Sequence, residues 1–322
     1  MKSCTSRIVT VCTVALTTFV YACVVSEDTS TGEQANENLN GPNLNGSNQN
    51  GSNLLAFLVE GATNDSVALT DLRVFKGELI AERNAVTLRG DELAGTELQA
   101  HVGTIGSPTT AAYRITAVTP EVGNDPTGTG STFLYTLEQW NGTAWVDGCP
   151  LDHNGQRFAI PVAAEWDETG NRTDDSSKFT LACTSGVIAK CYRWGYRPWV
   201  TGYGDLATMH WTCTRLARAD WCGDGVSHTT DGTWINVWDI LPAPGPIQYQ
   251  ATVEGMEFDS GWNTSGATCL SSSRWTASGS VVTAECPAKL PAPGSGGSPC
   301  NSQASALSLQ PSTLMFKEMD IP

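Results

Sequence analysis

Eight cysteines between residues 149 and 300 constrain the fold of this chain more than any other feature of its sequence. An even set of this size in an exported protein predicts four disulfide bonds, although about a hundred pairings of the eight remain open. We therefore expect a disulfide-bonded globular domain in an oxidising compartment. The eight are Cys149, Cys183, Cys191, Cys213, Cys222, Cys269, Cys286 and Cys300.

Residues 1–22 have the features of a secretory signal peptide. Lys2 and Arg7 supply positive charge, and an uncharged, mostly apolar run follows from Ile8 to Ala22. That run is shorter than the ~20 apolar residues that a transmembrane helix needs, and no later stretch approaches this length. We expect an exported protein whose body is soluble.

The sequence Val20-Tyr21-Ala22-Cys23 resembles the end of a bacterial lipoprotein signal, with Tyr21 as a poor match, and it also fits ordinary cleavage before Cys23. Acylation of Cys23 would leave the even set of eight cysteines free to pair. We therefore predict a lipid anchor in the cell envelope, at the outer membrane because Val24 is no inner-membrane retention signal. A secreted protein is the alternative.

Composition and periodicity divide the mature chain into segments. A five-residue repeat built on Asn-Leu-Asn-Gly resembles a pentapeptide repeat, but it is too short to bury a core of its own. We predict an α+β, β-rich fold with a few helices in the C-terminal half. The segments are a polar tether at 23–37, the degenerate pentapeptide-like repeat at 38–57, a β-rich segment at 58–138, a disulfide-bonded domain at 139–286 and a Pro/Gly/Ser-rich tail at 287–322.

Local patterns predict one strand from Asp71 to Glu82 and one hairpin from Phe133 to Val146. The hairpin turn is predicted at Asn141-Gly142, a dipeptide typical of type I′ turns because both of its residues readily adopt positive φ.

A helix with a buried face is predicted from Leu206 to Trp221, capped by Asp205 and ended by Gly223. Cys213 and Cys222 would point to opposite sides of this helix, roughly 13 Å apart, which is too far for a disulfide. The helix should therefore be bonded to two other segments.

Residues around the end of this helix carry a resemblance to a known family. The run Arg218-Ala219-Asp220-Trp221-Cys222-Gly223, together with Ala189-Lys190-Cys191 and Trp194-Gly195-Tyr196-Arg197-Pro198-Trp199, resembles the ADYC domain family of exported myxobacterial proteins. The similarity spans about Trp140 to Trp275, with Trp221 where that family usually has Tyr. Its members tend to carry Leu-Asn-Gly repeats after a lipoprotein signal. The resemblance implies no reaction, cofactor or partner.

Four polar side chains in and after this run are candidates for a metal or acid–base site: Asp220, Asp224, His228 and Asp231. Carboxylates and an imidazole are ligands for zinc or calcium, so a metal-dependent hydrolase is one hypothesis. The alternative is that short polar side chains satisfy the backbone of a tight loop. A cysteine nucleophile beside His210 or His228 would need a free thiol, against which the even count argues. We therefore favour a non-enzymatic protein with no cofactor.

All 11 tryptophans lie after residue 139, and six aromatic residues crowd into residues 192–211. Aromatic faces stack on sugar rings, so Trp194, Tyr196 and Trp199 are candidates for a glycan-binding surface; the alternative is that they form core. The net charge of −15 and the absence of a basic stripe argue against nucleic acid as a partner. We predict a structural or binding ectodomain that contacts the membrane through its lipid and binds a glycan or another envelope protein.

Overall fold

The computed structural model describes residues 38–39, 58–104, 107–121, 132–152, 154–167, 169–175, 178–229, 233–242, 245–251 and 253–320. The predicted signal peptide, Cys23, the tether and Asp231 lie outside these residues. Only the Asn38-Leu39 pair of the repeat is described, as a short strand paired with Trp234 and Ile235. None of the described helices is long and apolar enough to cross a membrane.

The described chain is β-rich, with its helices in the C-terminal half, as the composition predicts. The described residues also include a 3-10 turn, Gly90–Leu93. The strands are β1 (Asn38–Leu39), β2 (Leu58–Asn64), β3 (Val67–Ala68), β4 (Thr70–Phe75), β5 (Glu78–Arg83), β6 (Val86–Arg89), β7 (Glu97–Thr104), β8 (Ser107–Glu121), β9 (Thr132–Trp140), β10 (Trp145–Asp147), β11 (Ala159–Val162), β12 (Glu165–Trp166), β13 (Arg172–Thr173), β14 (Thr180–Cys183), β15 (Trp234–Asp239), β16 (Glu257–Asn263), β17 (Gly266–Leu270) and β18 (Met315–Met319). The helices are α1 (Val187–Arg193), α2 (Leu206–Arg218), α3 (Ser272–Glu285) and α4 (Gln303–Leu309).

Two antiparallel sheets form the framework. The larger has the order β14-β11-β9-β8-β7-β2-β3, with β10 added beside β9, and the smaller has the order β1-β15-β18-β16-β17. A three-stranded meander, β4-β5-β6, and the pair β12-β13 complete the strands. The predicted segment boundary at 138/139 falls inside β9, which joins β8 on one side to β11 on the other.

The two sheets have separate apolar cores. Residues of the meander and the larger sheet share one core, where the backbone N–H of Leu79 donates to the Tyr135 hydroxyl at 2.8 Å. In a second core, α2 lies against β16, β17 and β18 and buries Leu216 beside Trp262 and Met315. The helix α2 therefore packs on the smaller sheet.

The turns of the meander correct one strand prediction. The strand predicted from Asp71 to Glu82 is two strands, β4 and β5, separated by Lys76-Gly77. Both turn residues have positive φ, 50° for Lys76 and 76° for Gly77, which is the type I′ geometry. Only Gly77 signals this turn in the sequence, because lysine is not a typical residue for its first position.

The hairpin of β9 and β10 is confirmed, but its predicted turn type is wrong. Trp140 pairs with Trp145, so four residues connect the strands instead of two. Of the Asn141-Gly142 pair only Gly142 has a positive φ, 99°. Asn141 acts through its side chain instead, because its Oδ1 accepts the backbone N–H groups of Thr143 and Ala144, both at 2.9 Å.

The predicted helix is α2, and its start is as expected. Oδ1 of Asp205 accepts the backbone N–H groups of Ala207 and Thr208, each at 3.1 Å. The predicted end is wrong, since the helix stops at Arg218 and Ala219 takes the left-handed conformation, φ 50° and ψ 43°. Gly223 lies in the loop beyond it.

All eight cysteines between residues 149 and 300 form disulfides. Cys213 of α2 bonds to Cys191 of α1, and Cys222 bonds to Cys286 at the end of α3, so Cys213 and Cys222 do not pair with each other. The prediction that this part of the chain is bonded to two other segments is confirmed. The remaining bonds are Cys149–Cys183 and Cys269–Cys300. Bonds of this kind place the domain in an extracytoplasmic, oxidising compartment.

Candidate functional site

The loop that follows α2 is built around Asp220. Its Oδ2 lies 2.5 Å from Nη1 of Arg215, and neither side chain is more than 1% exposed. The carboxylate also accepts the backbone N–H groups of Asp224 and Gly225, each at 3.1 Å. Asp220 therefore closes the loop onto the helix, which is the structural alternative to a ligating or catalytic role.

Asp224 and His228 both lie near the carboxylate of Glu285, but each has a structural partner of its own. Asp224 is exposed, and its Oδ1 accepts the backbone N–H of Val226 at 3.0 Å. The imidazole of His228 stacks on Trp221, with ring centroids 4.8 Å apart, and its Nε2 lies 2.9 Å from Oε2 of Glu285. Asp231, the fourth candidate, lies outside the described residues.

One group of potential metal ligands occurs in the described part of the chain: Cys222, Asp224 and Glu285, whose ligand atoms lie within 4.8 Å of one another. The sulfur of Cys222 is bonded to Cys286. A metal-binding cysteine must be a thiolate, so this sulfur is not available and two exposed carboxylates remain. These three residues therefore do not supply the metal ligands that the hypothesis of a metal-dependent hydrolase needs.

Two of the three predicted aromatic binding residues belong to the core. Trp194 is 8% exposed and Tyr196 is fully buried. The Tyr196 hydroxyl donates to Oδ2 of Asp239 at 2.9 Å, and burial raises the pKa of Tyr196 well above its usual value. Trp194 and Tyr196 therefore cannot stack on a ligand, and for these two residues the alternative of a place in the core applies.

Trp199 differs from its neighbours because it is half-buried and lines a cavity of about 300 Å³. We call this cavity the Trp199 cleft. Its walls come from the β4–β5 turn, from β13 and the residues after it, from α1, and from the loop after α1. The residues that matter below are Lys76, Gly77, Arg172, Asp174, Tyr192 and Trp199.

The aromatic wall of the Trp199 cleft consists of Tyr192 and Trp199, and both rings pack against other residues of the protein. The rings of Tyr192 and Trp199 have centroids 5.3 Å apart, and Tyr192 also meets the buried ring of His210 edge to face at 4.4 Å. Gly77 lies against the six-membered ring of Trp199 so closely that a Cβ at position 77 would overlap it. Trp199 is therefore packed against Tyr192 on one side and against the β4–β5 turn on another.

The polar wall of the cleft is the ion pair of Arg172 and Asp174, and Arg172 also contacts His210. Oδ1 of Asp174 accepts Nε–H and Nη2–H of Arg172 at 3.0 and 2.6 Å. Nη1 of Arg172 lies 3.0 Å from Nδ1 of His210, whose Nε2 lies 2.9 Å from the carbonyl oxygen of Ile188. Because Arg172 can only donate, Nδ1 accepts, and Nε2–H donates to Ile188. Burial, with the charge of Arg172, holds the pKa of His210 well below its usual value.

Comparison with known families shows where this chain belongs. The family model of the ADYC domain matches residues 90–276, more than half of the 322 residues. The chain belongs to the ADYC domain family. Neither the curated proteins nor the solved structures include a significant match to it.

The motif that names the ADYC domain is a structural unit in this protein. Ala219 ends α2, Asp220 forms the buried ion pair with Arg215, and Cys222 bonds to Cys286. Trp221 is buried and stacks on the ring of His228. Its indole N–H has no hydrogen-bond acceptor among the described residues. The motif therefore joins the end of α2 to the end of α3 and contributes no group to the Trp199 cleft.

The ADYC match includes most of the Trp199 cleft. Arg172, Asp174, Tyr192 and Trp199 lie within residues 90–276, whereas Lys76 belongs to the β4–β5 turn before the match begins. Sequence reasoning missed Lys76, Arg172 and Asp174 as site residues. No local pattern could have found them, because the cleft unites side chains almost a hundred residues apart that share no periodicity.

Proposed function

We propose that this protein is an exported binding ectodomain, attached to the outer membrane through a lipid on Cys23, and that it binds a small ligand in the Trp199 cleft. The observation that carries the proposal is the cleft itself, in which a preformed aromatic wall faces an ion pair. Small-molecule sites typically combine an apolar lining with a few fixed polar groups in volumes of ~300–1,000 Å³. At about 300 Å³ the Trp199 cleft lies at the lower end of that range.

The charge pattern of the protein supports a ligand that is not a polyanion. The formal net charge is −15, which repels phosphate backbones and favours neither nucleic acid nor an anionic membrane surface as a partner. The four disulfides support rigid walls, since Cys191–Cys213 joins the two helices beside the cleft.

Ligand binding is tested with the mature full-length protein by a ligand-observed NMR screen of a general fragment library. We expect a set of hits that Trp199→Ala removes and that Trp140→Ala keeps. Trp140 is the matched control because it is 40% exposed, lies in the hairpin of β9 and β10 and is not one of the cleft-lining residues. An unchanged set of hits in Trp199→Ala would refute the proposal.

The lipid anchor is tested in cells by labelling with an alkyne fatty acid and by detergent phase partitioning. We expect label and detergent-phase protein for the natural sequence and for Cys12→Ala, and neither for Cys23→Ala. Unlabelled protein in the medium of cells that carry the natural sequence would support the secreted alternative.

A further inference from the structure

The ligand class of the Trp199 cleft follows from which of its polar groups are already occupied. We infer that the ligand is an uncharged saccharide that stacks on Trp199 and donates hydroxyl hydrogen bonds to Asp174. This inference rests on the proposed binding function and specifies its ligand.

Asp174 presents a free hydrogen-bond acceptor to the cleft. Both hydrogen bonds from Arg172 end on Oδ1, so Oδ2 has no partner among the described residues. The Asp174 side chain is 61% exposed, whereas that of Arg172 is 4% exposed. Arg172 therefore orients the carboxylate and neutralises it, and Oδ2 is left to accept hydroxyl groups from a ligand.

The second step excludes an anion as the preferred ligand. Four of the five N–H groups of Arg172 are engaged, by Asp174, by His210 or by the carbonyl oxygen of Ala207. The remaining cation of the cleft is Lys76, whose exposed ammonium lies 5.4 Å from the ring centre of its neighbour Phe75. Lys76 therefore offers an anion one solvent-exposed charge, which water and salt screen.

The third step excludes a cation. Aromatic walls with a carboxylate do attract cationic ligands when no positive charge competes. Here the charge of Asp174 is already paired with Arg172, and Lys76 adds a further positive charge to the lining. A ligand cation therefore meets no unpaired negative charge in the cleft.

An uncharged saccharide meets all three conditions. Its C–H face packs on the ring of Trp199, its hydroxyls donate to Asp174, and its ring or hydroxyl oxygens accept from Lys76. Apolar contact with an aromatic ring and hydrogen bonds to a fixed carboxylate act on opposite faces of the same small molecule. The volume of about 300 Å³ favours a short saccharide over a long chain segment.

The experiment is isothermal titration of the mature full-length protein with four probes. N,N′-diacetylchitobiose and cellobiose are the uncharged saccharides, galacturonic acid is the anionic sugar and choline is the cation. We expect at least one uncharged saccharide to bind with Kd in the millimolar range or tighter, at least tenfold more tightly than galacturonic acid or choline. We expect its Kd to rise at least tenfold in Trp199→Ala and in Asp174→Ala.

Controls separate a lost contact from a damaged fold. Asp224→Ala and Trp140→Ala remove an exposed carboxylate and an exposed indole outside the cleft, and both should keep the natural Kd. Because Asp174→Ala leaves Arg172 without its carboxylate, Asp174→Asn is measured beside it, since this variant retains one oxygen acceptor. We expect Asp174→Asn to bind more tightly than Asp174→Ala and to match the natural protein in thermal unfolding.

The outcomes distinguish this inference from the proposed function. Saccharide binding that Trp199→Ala leaves unchanged overturns the inference. The inference is also wrong if fragment hits depend on Trp199 but neither saccharide binds, or if galacturonic acid or choline binds more tightly than the saccharides. The proposed function stands in both cases. If neither fragments nor saccharides bind the cleft, both are wrong.

Discussion

Asp220 and Arg215 form an ion pair inside the protein at the end of α2, with Oδ2 and Nη1 2.5 Å apart and both side chains at most 1% exposed. Two backbone N–H groups of the following loop donate to the same carboxylate. The pair therefore connects the last turn of the helix to the loop that carries Cys222. Removing one member leaves a buried charge without its partner.

We expect Asp220→Asn to lower the free energy of unfolding by about 3–5 kcal/mol, the cost of breaking a buried ion pair from one side. Urea denaturation followed by tryptophan fluorescence measures the change. Asp224→Asn is the matched control, because this carboxylate is exposed and should change the stability by no more than ~0.5 kcal/mol. Equal effects in the two variants would contradict the structural role of Asp220.

The β4–β5 turn should tolerate no side chain at Gly77. Gly77→Ala should lower the free energy of unfolding by about 2–5 kcal/mol, because positive φ disfavours alanine and the added Cβ overlaps Trp199. Gly95→Ala separates the two causes, since Gly95 has a φ of +85° but no atom within 4 Å of the added Cβ. We expect about 1–2 kcal/mol for this control, measured by the same urea denaturation.

Gly77→Ala should also shift the tryptophan fluorescence spectrum of the folded protein, because Trp199 must move. Gly95→Ala should leave the spectrum unchanged. A spectrum of Gly77→Ala identical to that of the natural protein would show that Trp199 does not lie against this turn.

His210 should make the protein sensitive to mild acid. Burial and the charge of Arg172 lower the pKa of His210 in the folded state, so the folded imidazole stays neutral while the unfolded chain gains a proton near pH 6.5. Acidification therefore favours the unfolded state, and stability falls as the pH decreases below ~6.5, by up to about 1.4 kcal/mol per pH unit from this group.

Urea denaturation at pH 7.5, 6.5 and 5.5 tests this prediction. His210→Gln keeps a donor and an acceptor but does not titrate, so its stability should decline less steeply between pH 6.5 and 5.5 than that of the natural protein. The same slope in both proteins would mean that other groups cause the acid sensitivity.

The bond between Cys222 and Cys286 closes a loop of 64 residues. Replacing both cysteines with alanine should lower the free energy of unfolding by about 4 kcal/mol, because the unfolded chain regains the entropy of that loop. The single variant Cys222→Ala should expose one thiol, from Cys286, to a thiol reagent under denaturing conditions. Several reactive thiols in the denatured, non-reduced natural protein would contradict the four bonds.

Local features of the fold were predictable because they depend on near neighbours in the chain. The period of apolar residues and the Asp205 side chain place the start of α2 correctly, and helical geometry correctly separates Cys213 from Cys222. The end of the helix was not predictable, because Ala219 adopts its left-handed conformation where Asp220 and Cys222 join other parts of the structure. On intrinsic preference alone, Gly223 is the better residue to end the helix.

The sequence by itself determined the even set of cysteines, the β-rich character, the helix α2 and the family. Only the tertiary structure decided which cysteines pair, and that Trp194 and Tyr196 lie in the core while Trp199 lines a cleft with Lys76 and Asp174. The reason is physical. Periodicity and turn residues report on contacts within a few positions, whereas burial and site formation depend on which distant surfaces meet when the sheets and helices pack.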